Sequence, residues 1–199
     1  MSKRPAVFLD RDGTLTIERG YVTRPRDLRL IDCAAGAVRA LNEAGVPAVV
    51  VSNQSGVARG LMSEEDMALV HDALEHLLAE HGARLDAAYY CPNHLEGTDV
   101  RYNRDASCRK PALGMLEQAA RDLDLDVAGS VMIGDQVSDL EFAANAGMPG
   151  VLVATGKGPD ELEVAEARGV PVAAFLPDVA EAVAWFLRGR SSRPGEGTR

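Results

Sequence analysis

At 199 residues, 46% hydrophobic and 26% charged, the chain is long enough to bury one full core and has the ordinary mixture of a globular protein. Its formal net charge of −9 argues against a general binder of nucleic acid or of an anionic membrane, so a phosphorylated ligand must meet cations gathered locally. No apolar run approaches the roughly 18 residues of a spanning helix, the start Ser2-Lys3-Arg4-Pro5 leads into a strand rather than a signal-peptide core, and the sparse cysteines Cys33, Cys91 and Cys108 suit a reducing, cytoplasmic location.

Residues 6–9 read as a strand buried on both faces, ending in the carboxylates Asp10 and Asp12, with Gly13 free to turn the chain and bring its backbone close to a ligand. In an open α/β sheet the ligand crevice lies beyond the carboxyl ends of the strands. Two acids there can hold a divalent cation, and one of them can attack an electrophile. The same residues are compatible with an acidic turn closing a strand. A calcium loop would want an acid and then a glycine where this chain has Thr14 and Leu15.

Residues 16–29, rich in arginine and broken by Gly20 and Pro25, read as a loop over the crevice. Ala34, Val38 and Leu41 share a helical face that Gly45 and Pro47 bring to an end. A second buried strand at 48–51 runs into Ser52-Asn53-Gln54-Ser55-Gly56. Ser63 caps a long helix with Met67, Val70, Leu74, Leu77 and His81 on one stripe and Gly82 at its end. After a third strand at 87–90, residues 91–111 are too long for an ordinary connection. Leu116, Ala119, Ala120 and Leu123 mark the next helix, and a fourth strand at 131–133 runs into Gly134-Asp135-Gln136-Val137-Ser138-Asp139 and a helix through Ala146. Strands at 151–153 and 172–175 follow, then a helix carrying Val179, Val183, Phe186 and Leu187. From Gly189 the composition turns to Arg, Ser, Gly and Pro, so one domain over 1–188 and a loose tail over 189–199 are expected. Strands alternating with amphipathic helices imply a parallel sheet covered on both faces.

In such a sheet, strand ends gather Asp10 and Asp12, Ser52 and Asn53, Arg109 and Lys110, and Asp135 at one edge. Phosphoryl transfer needs this set: in-line positioning, neutralised equatorial oxygens and Mg²⁺ on hard oxygen ligands. Singly, each residue has a plainer reading: Ser52 as a turn cap, Arg109 and Lys110 as solvated charge, Asp135 as a loop acid. Asp139 could support Asp135 or simply place charge at a helix N-terminus. Arg11, Arg24, Arg26 and Arg59 read as ordinary surface arginines, and Lys157 as part of a plain loop.

Asp10-x-Asp12-Gly13-Thr14, Ser52, Lys110 and Gly134-Asp135-x-x-x-Asp139 resemble the four ordered motifs of the haloacid dehalogenase superfamily of phosphatases. Phe8 to Thr14, Gly20-Tyr21-Val22, Ser52 to Gly60, Tyr89-Tyr90-Cys91-Pro92 and Cys108 to Pro111 look like the D-glycero-D-manno-heptose 1,7-bisphosphate 7-phosphatases, close relatives of the histidinol-phosphatases. The resemblance covers about the first 160 residues. It implies a Rossmann-like three-layer sandwich with a mainly parallel sheet and no large cap domain. Asp10 would be the nucleophile and Asp12 the general acid, then base. Mg²⁺ would lie on Asp10, Asp135 and the backbone carbonyl of Asp12, with Ser52 and Lys110 on the transferring phosphoryl group. Glu18, Arg19, Gly20, Tyr21, Ser52, Asn53, Gln54, Ser55, Arg109 and Lys110 would contact a small phosphorylated sugar, and the enzyme would act as a monomer without nucleic-acid or membrane partners.

The chain departs from that pattern twice. Many of these phosphatases hold zinc on the long segment through Cys-x-His and Cys-x-Cys; here Asn93 and Ala106 stand at two of those places. A two-cysteine remnant without metal is the expectation, with zinc on Cys91, His94 and Cys108 as the alternative and a disulfide unsuited to the cytosol. Gln136 stands where relatives often carry lysine, which leaves anomer and ester preference open. A histidinol-phosphate phosphatase and a non-catalytic phospho-sugar binder are the competing readings.

Overall fold

The computed structural model describes residues 3–191. One sheet of six parallel strands is formed by β1 (Val7–Leu9), β2 (Ala48–Asn53), β3 (Ala87–Cys91), β4 (Val131–Gly134), β5 (Gly150–Val153) and β6 (Ala174–Leu176), in the order β3-β2-β1-β4-β5-β6. The helices are α1 (Ala34–Glu43), α2 (Glu64–Ala79), α3 (Gly114–Leu123), α4 (Val137–Ala146), α5 (Gly158–Arg168) and α6 (Val179–Ser191). The expected three-layer α/β sandwich without a large cap is the architecture found.

Alternation along each strand builds the layers. Val7 and Leu9 point the same way as Val50, Ile133 and Val153, and meet α1, α2 and α6 through Val38, Leu41, Leu74 and Val183. Ala6 and Phe8 point the other way with Val49, Val51 and Met132, against Met115 and Leu116 of α3 and Phe142 of α4. Leu152 extends that second layer under Leu140 of α4 and Ala165 of α5. Because both faces are covered, β1, β4 and β5 are buried throughout, and their sequences are unbroken apolar runs.

The winding of the chain then places the crevice. From central β1 the chain moves outward through β2 and β3, returns to lay β4 on the other side of β1, and winds outward again. The strand order reverses between β1 and β4, where ligands of doubly wound sheets bind. Leu9 lies level with Ile133, and the N–H of Asp10 donates to the Ile133 carbonyl at 3.0 Å, so the residues that follow the two strands emerge side by side.

Several expectations need correction. The buried stripe of α2 is Val70, Leu74 and Leu78, an i+4 ridge; Leu77 is half-buried and His81 lies exposed beyond the helix. The cap itself is as read: the Ser63 hydroxyl accepts the Asp66 N–H at 3.0 Å while Asp66 accepts the Ser63 N–H at 2.9 Å. Helix α5 was not anticipated, because it buries just Gly158 and Ala165 and so carries no apolar stripe. Helix α6 continues through Ser191, past the expected start of a tail at Gly189, and residues 192–199 lie outside the described residues.

The largest correction concerns the segment after β3. Cys91 and Cys108 are joined as a disulfide, with Cα atoms 5.5 Å apart, rather than standing as free thiols. The segment doubles back, with the Ala58 N–H on the Pro92 carbonyl and the His94 N–H on the Tyr102 carbonyl, and this lays Cys108 against the end of β3. His94 does not join the two sulfurs as a zinc ligand: its Nδ1 accepts the Glu96 N–H at 3.1 Å and its Nε2 lies 3.3 Å from Arg59 Nη2. The bond closes a loop with a sequence separation of 17. Cys108→Ser is therefore expected to lower the unfolding free energy by about 2–4 kcal/mol in oxidising buffer and by far less in dithiothreitol. Denaturant melts of both proteins under both conditions check this, and identical midpoints in oxidising buffer would contradict it.

Candidate active site

Asp10 follows β1, Ser52 lies near the end of β2, Asp135 follows β4 and Asp139 sits in the first turn of α4. Lys110 arrives from the long segment and is pinned by Asn53, whose Oδ1 accepts the Lys110 N–H at 2.9 Å and whose Nδ2 donates to its carbonyl at 3.1 Å. Lys110 is buried; its ammonium donates to Asp10 Oδ1 at 2.9 Å and the Val51 carbonyl at 2.8 Å and forms an ion pair with Asp139 Oδ1 at 2.6 Å, an oxygen that is otherwise without a hydrogen-bond partner. Burial works against the Lys110 charge, and Asp10 and Asp139 more than offset it, holding its pKa above the ordinary lysine value.

Asp10, Asp135 and Asp139 are all buried, and each offers an oxygen within 4.8 Å of the others. Two of these carboxylates, Asp10 and Asp139, thus share one ammonium, and Asp135 stands beside them without a cation in salt-bridge reach among the described residues. Burial first, then the charges of Asp10 and Asp139, push the Asp135 carboxyl up to about 8. Burial, with the Asp10 charge, outweighs Lys110 and raises Asp139 to about 6. Asp135 Oδ2 accepts the Lys157 N–H at 2.9 Å, whereas Oδ1 is buried with no hydrogen-bond partner. An orphaned carboxylate oxygen among like charges suits a hard divalent cation, and the all-oxygen donor set fits Mg²⁺. The backbone clears this space deliberately: a Cβ on Gly13 or Gly156 would sit 2.0 or 2.2 Å from Asp135 Oδ2, and both glycines have positive φ, +81° and +59°.

The Asp12 carboxylate stands outside that cluster. Arg11 Nε and Nη2 hold its two oxygens at 3.0 and 2.7 Å, Thr16 Oγ1 reaches Oδ1 at 3.1 Å, and Gln54 Nε2 reaches Oδ2 at 2.9 Å. Arg11, expected on the surface, is fully buried. Gln54, expected to touch the sugar, is buried with its amide spent on Asp12, Ser52 and Arg11.

The crevice has a volume of about 430 Å³ and brings together Asp10, Asp12, Glu18, Gly20, Tyr21 and residues 52–55 with Arg109 and Lys110. Arg19, expected among them, is exposed and does not line it. Arg59, His94, Gln136 and Lys157, read from sequence as surface charge, a zinc alternative, a departure from the family and a plain loop, do line it, as does Glu161, which the sequence did not single out. Arg59 Nε and Arg109 Nη1 are buried without partners, and burial together with the neighbouring Arg59 charge holds Arg109 below its ordinary value. Burial, then Arg109 and Arg59, likewise depress His94. Opposite the acidic cluster there is thus a cationic wall with unspent donors.

A HAD-hydrolase-like family model matches residues 107–182. The D-glycero-D-manno-heptose-1,7-bisphosphate 7-phosphatase of Thermosynechococcus vestitus is 46% identical over 187 residues, 92% of this chain and 95% of that protein. The D-glycero-beta-D-manno-heptose-1,7-bisphosphate 7-phosphatase of Escherichia coli K12 is 42% identical over 77% of this chain and 81% of its own. Among solved structures, the D,D-heptose 1,7-bisphosphate phosphatase of B. bronchiseptica, complexed with magnesium and phosphate, superposes with a TM-score of 0.81 at 33% identity, covering 93% of this chain and 99% of that one. With identity of this order across nearly the whole length and a shared fold, the chain belongs to the heptose-1,7-bisphosphate 7-phosphatase family of haloacid dehalogenase-like hydrolases.

Proposed function

We propose that the chain is a Mg²⁺-dependent phosphomonoester hydrolase that removes the 7-phosphate of D-glycero-D-manno-heptose 1,7-bisphosphate through an aspartyl-phosphate on Asp10, in nucleotide-heptose biosynthesis. The observation that carries this reading is Lys110 wedged between Asp10 and Asp139, beside the unpartnered Asp135 oxygen and across from Arg59 and Arg109. Family membership and the magnesium and phosphate in the B. bronchiseptica relative support the cofactor and the substrate class. We read residues 1–188 as one phosphatase unit, acting as a cytoplasmic monomer without nucleic-acid or membrane partners; in that reducing compartment the Cys91–Cys108 pair, bonded in the structure, would stand as two thiols. No helix among the described residues is long and apolar enough to cross a membrane.

In this mechanism Asp10 attacks phosphorus while Asp12 gives its proton to the departing sugar oxygen; Asp12 then takes a proton from the water that releases phosphate. Lys110 keeps Asp10 aimed and lowers its repulsion from the phosphoryl oxygens, and the Ser52 hydroxyl keeps its own proton to donate to one of them. Asp10, Asp135 and the backbone carbonyl of Asp12 would hold Mg²⁺, which would supply charge neutralisation at the phosphoryl group, while Asp139 stays on Lys110. Arg59 and Arg109 would receive the second phosphate. The same cationic wall opposes histidinol phosphate, whose far end carries positive charge.

Asp10→Asn is expected to abolish turnover, and Asp12→Asn to cost on the order of 10²–10⁴-fold in kcat. Steady-state rates on heptose bisphosphate and histidinol phosphate, side by side, test the substrate; faster turnover of histidinol phosphate refutes the assignment. Arg59→Met and Arg109→Met are each expected to raise KM for the bisphosphate by about 10–10²-fold with little change in kcat. A fall in kcat at constant KM would contradict that role.

Stability should also depend on pH in a metal-dependent way. The raised Asp135 and Asp139 keep protons in the folded state that the unfolded chain releases from about pH 4 upward. The associated stability is present at low pH and lost as pH rises through about 6 and about 8. Thermal melts at pH 5 and pH 8 are expected to show Tm falling with pH in chelator, with Mg²⁺ restoring it most at pH 8. A Tm indifferent to Mg²⁺ at pH 8 contradicts the site.

A further inference from the structure

Asp12 is gripped more completely than a proton carrier needs if it merely stands beside the substrate. A carboxylate has about four acceptor directions, and here Arg11 Nε, Arg11 Nη2, Thr16 Oγ1 and Gln54 Nε2 lie on them at 2.7 to 3.1 Å. Neighbours on an extended strand point apart, yet Arg11 and Asp12 point together. The cause is a tight turn in which the Arg11 carbonyl accepts the Leu15 and Thr16 N–H groups, both at 2.9 Å. Gln54 then ties the guanidinium to the carboxylate, its Oε1 accepting Arg11 Nη2 at 2.9 Å while its Nε2 donates to Asp12.

The guanidinium cannot drift. It has no exposure, and its carbon lies 5.8 Å from the centre of the Tyr90 ring, whose hydroxyl is 2.9 Å from His71 Nδ1. Burying an arginine this deeply is unfavourable unless its partner is fixed, so the pair has one geometry. Of the four contacts, the two made by neutral donors have another acceptor in reach outside the Arg11 guanidinium: Ser52 Oγ at 3.1 Å for Gln54 Nε2 and the Arg11 carbonyl at 3.2 Å for Thr16 Oγ1. These are the contacts that can yield when Asp12 turns an oxygen toward the substrate, and of the two residues Gln54 is the one that lines the crevice.

We propose that Arg11 and Gln54 are positioning residues that orient Asp12 as proton carrier in both half-reactions, and that Gln54 makes no contact with the sugar. The inference rests on the phosphatase reading above. In the first half-reaction an Asp10 oxygen bonds to phosphorus as the ester P–O bond breaks, and the Asp12 proton passes to the sugar oxygen. In the second, water oxygen bonds to phosphorus, its proton passes to Asp12, and the bond to Asp10 breaks to release inorganic phosphate. An aryl ester such as p-nitrophenyl phosphate leaves as a stable anion and needs no proton in the first half. A loosened Asp12 should therefore slow both halves with a sugar ester and the second half alone with the aryl ester.

The test is pre-steady-state kinetics of wild type, Arg11→Lys and Gln54→Leu on heptose bisphosphate and on p-nitrophenyl phosphate. With the sugar ester, phosphorylation in both variants is expected to fall on the order of 10–10²-fold at nearly constant KM. With the aryl ester, a stoichiometric burst of nitrophenolate at the wild-type rate should precede a slowed steady phase. Equal losses of phosphorylation on both esters would assign the two residues a merely structural role and overturn the inference. A raised KM for the sugar ester in Gln54→Leu, with kcat intact, would return Gln54 to the substrate and overturn it as well. Should Arg11→Lys fail to fold, Gln54→Leu decides alone, since it leaves the buried arginine and its Asp12 pair in place. Absence of wild-type turnover on both esters would overturn the phosphatase reading itself, and this inference with it.

Discussion

The structure turns on a repulsion. Three buried carboxylates crowd the point where the sheet reverses its winding, and a single ammonium, that of Lys110, pairs with two of them, Asp10 and Asp139. Such a group costs stability unless further positive charge enters, and the orphaned oxygen of Asp135 shows where the deficit lies. What is unfavourable for the empty protein is favourable for the reaction, because a cation and a phosphoryl group arriving together meet preset groups. The glycines beside Asp135, the Asn53 clasp on Lys110 and the first turn of α4 all keep the like charges close.

The surrounding groups divide the labour by place. Asp139 accepts the Gln136 N–H at the start of α4, at 3.1 Å, in keeping with its reading as charge at a helix N-terminus, and it also faces Lys110, a partner the sequence did not assign to it. Asn53 and Gln54 line the crevice, and their amides hold Lys110 and Asp12. Arg59 and Arg109 also line the crevice, each with a buried nitrogen whose donor is unspent. Lys157 is half-exposed on the crevice, 4.0 Å from Glu18, and lends its backbone to Asp135.

The legible parts of the sequence were those written locally. Short apolar runs ending in polar residues located the strands, and Asp10, Ser52 and Asp135 fall at the ends of β1, β2 and β4. What could not be read depends on the path of the chain. Arg11 looks like surface charge until the turn at 11–16 folds it inward. The Cys91–Cys108 bond requires knowing that the long segment returns to β3. Helix α5 lacked an apolar face, though Pro159 near its start and Gly169 at its end marked its limits.

A calorimetric titration of Mg²⁺ into wild type and Asp135→Asn at neutral pH, in buffers of differing ionisation heat, tests the carboxylate cluster as a cation site most directly. Wild type is expected to bind a single ion with release of protons from the carboxylate cluster, and the variant to bind far more weakly and release fewer. Absence of binding, or identical binding and proton release in the two proteins, would contradict it.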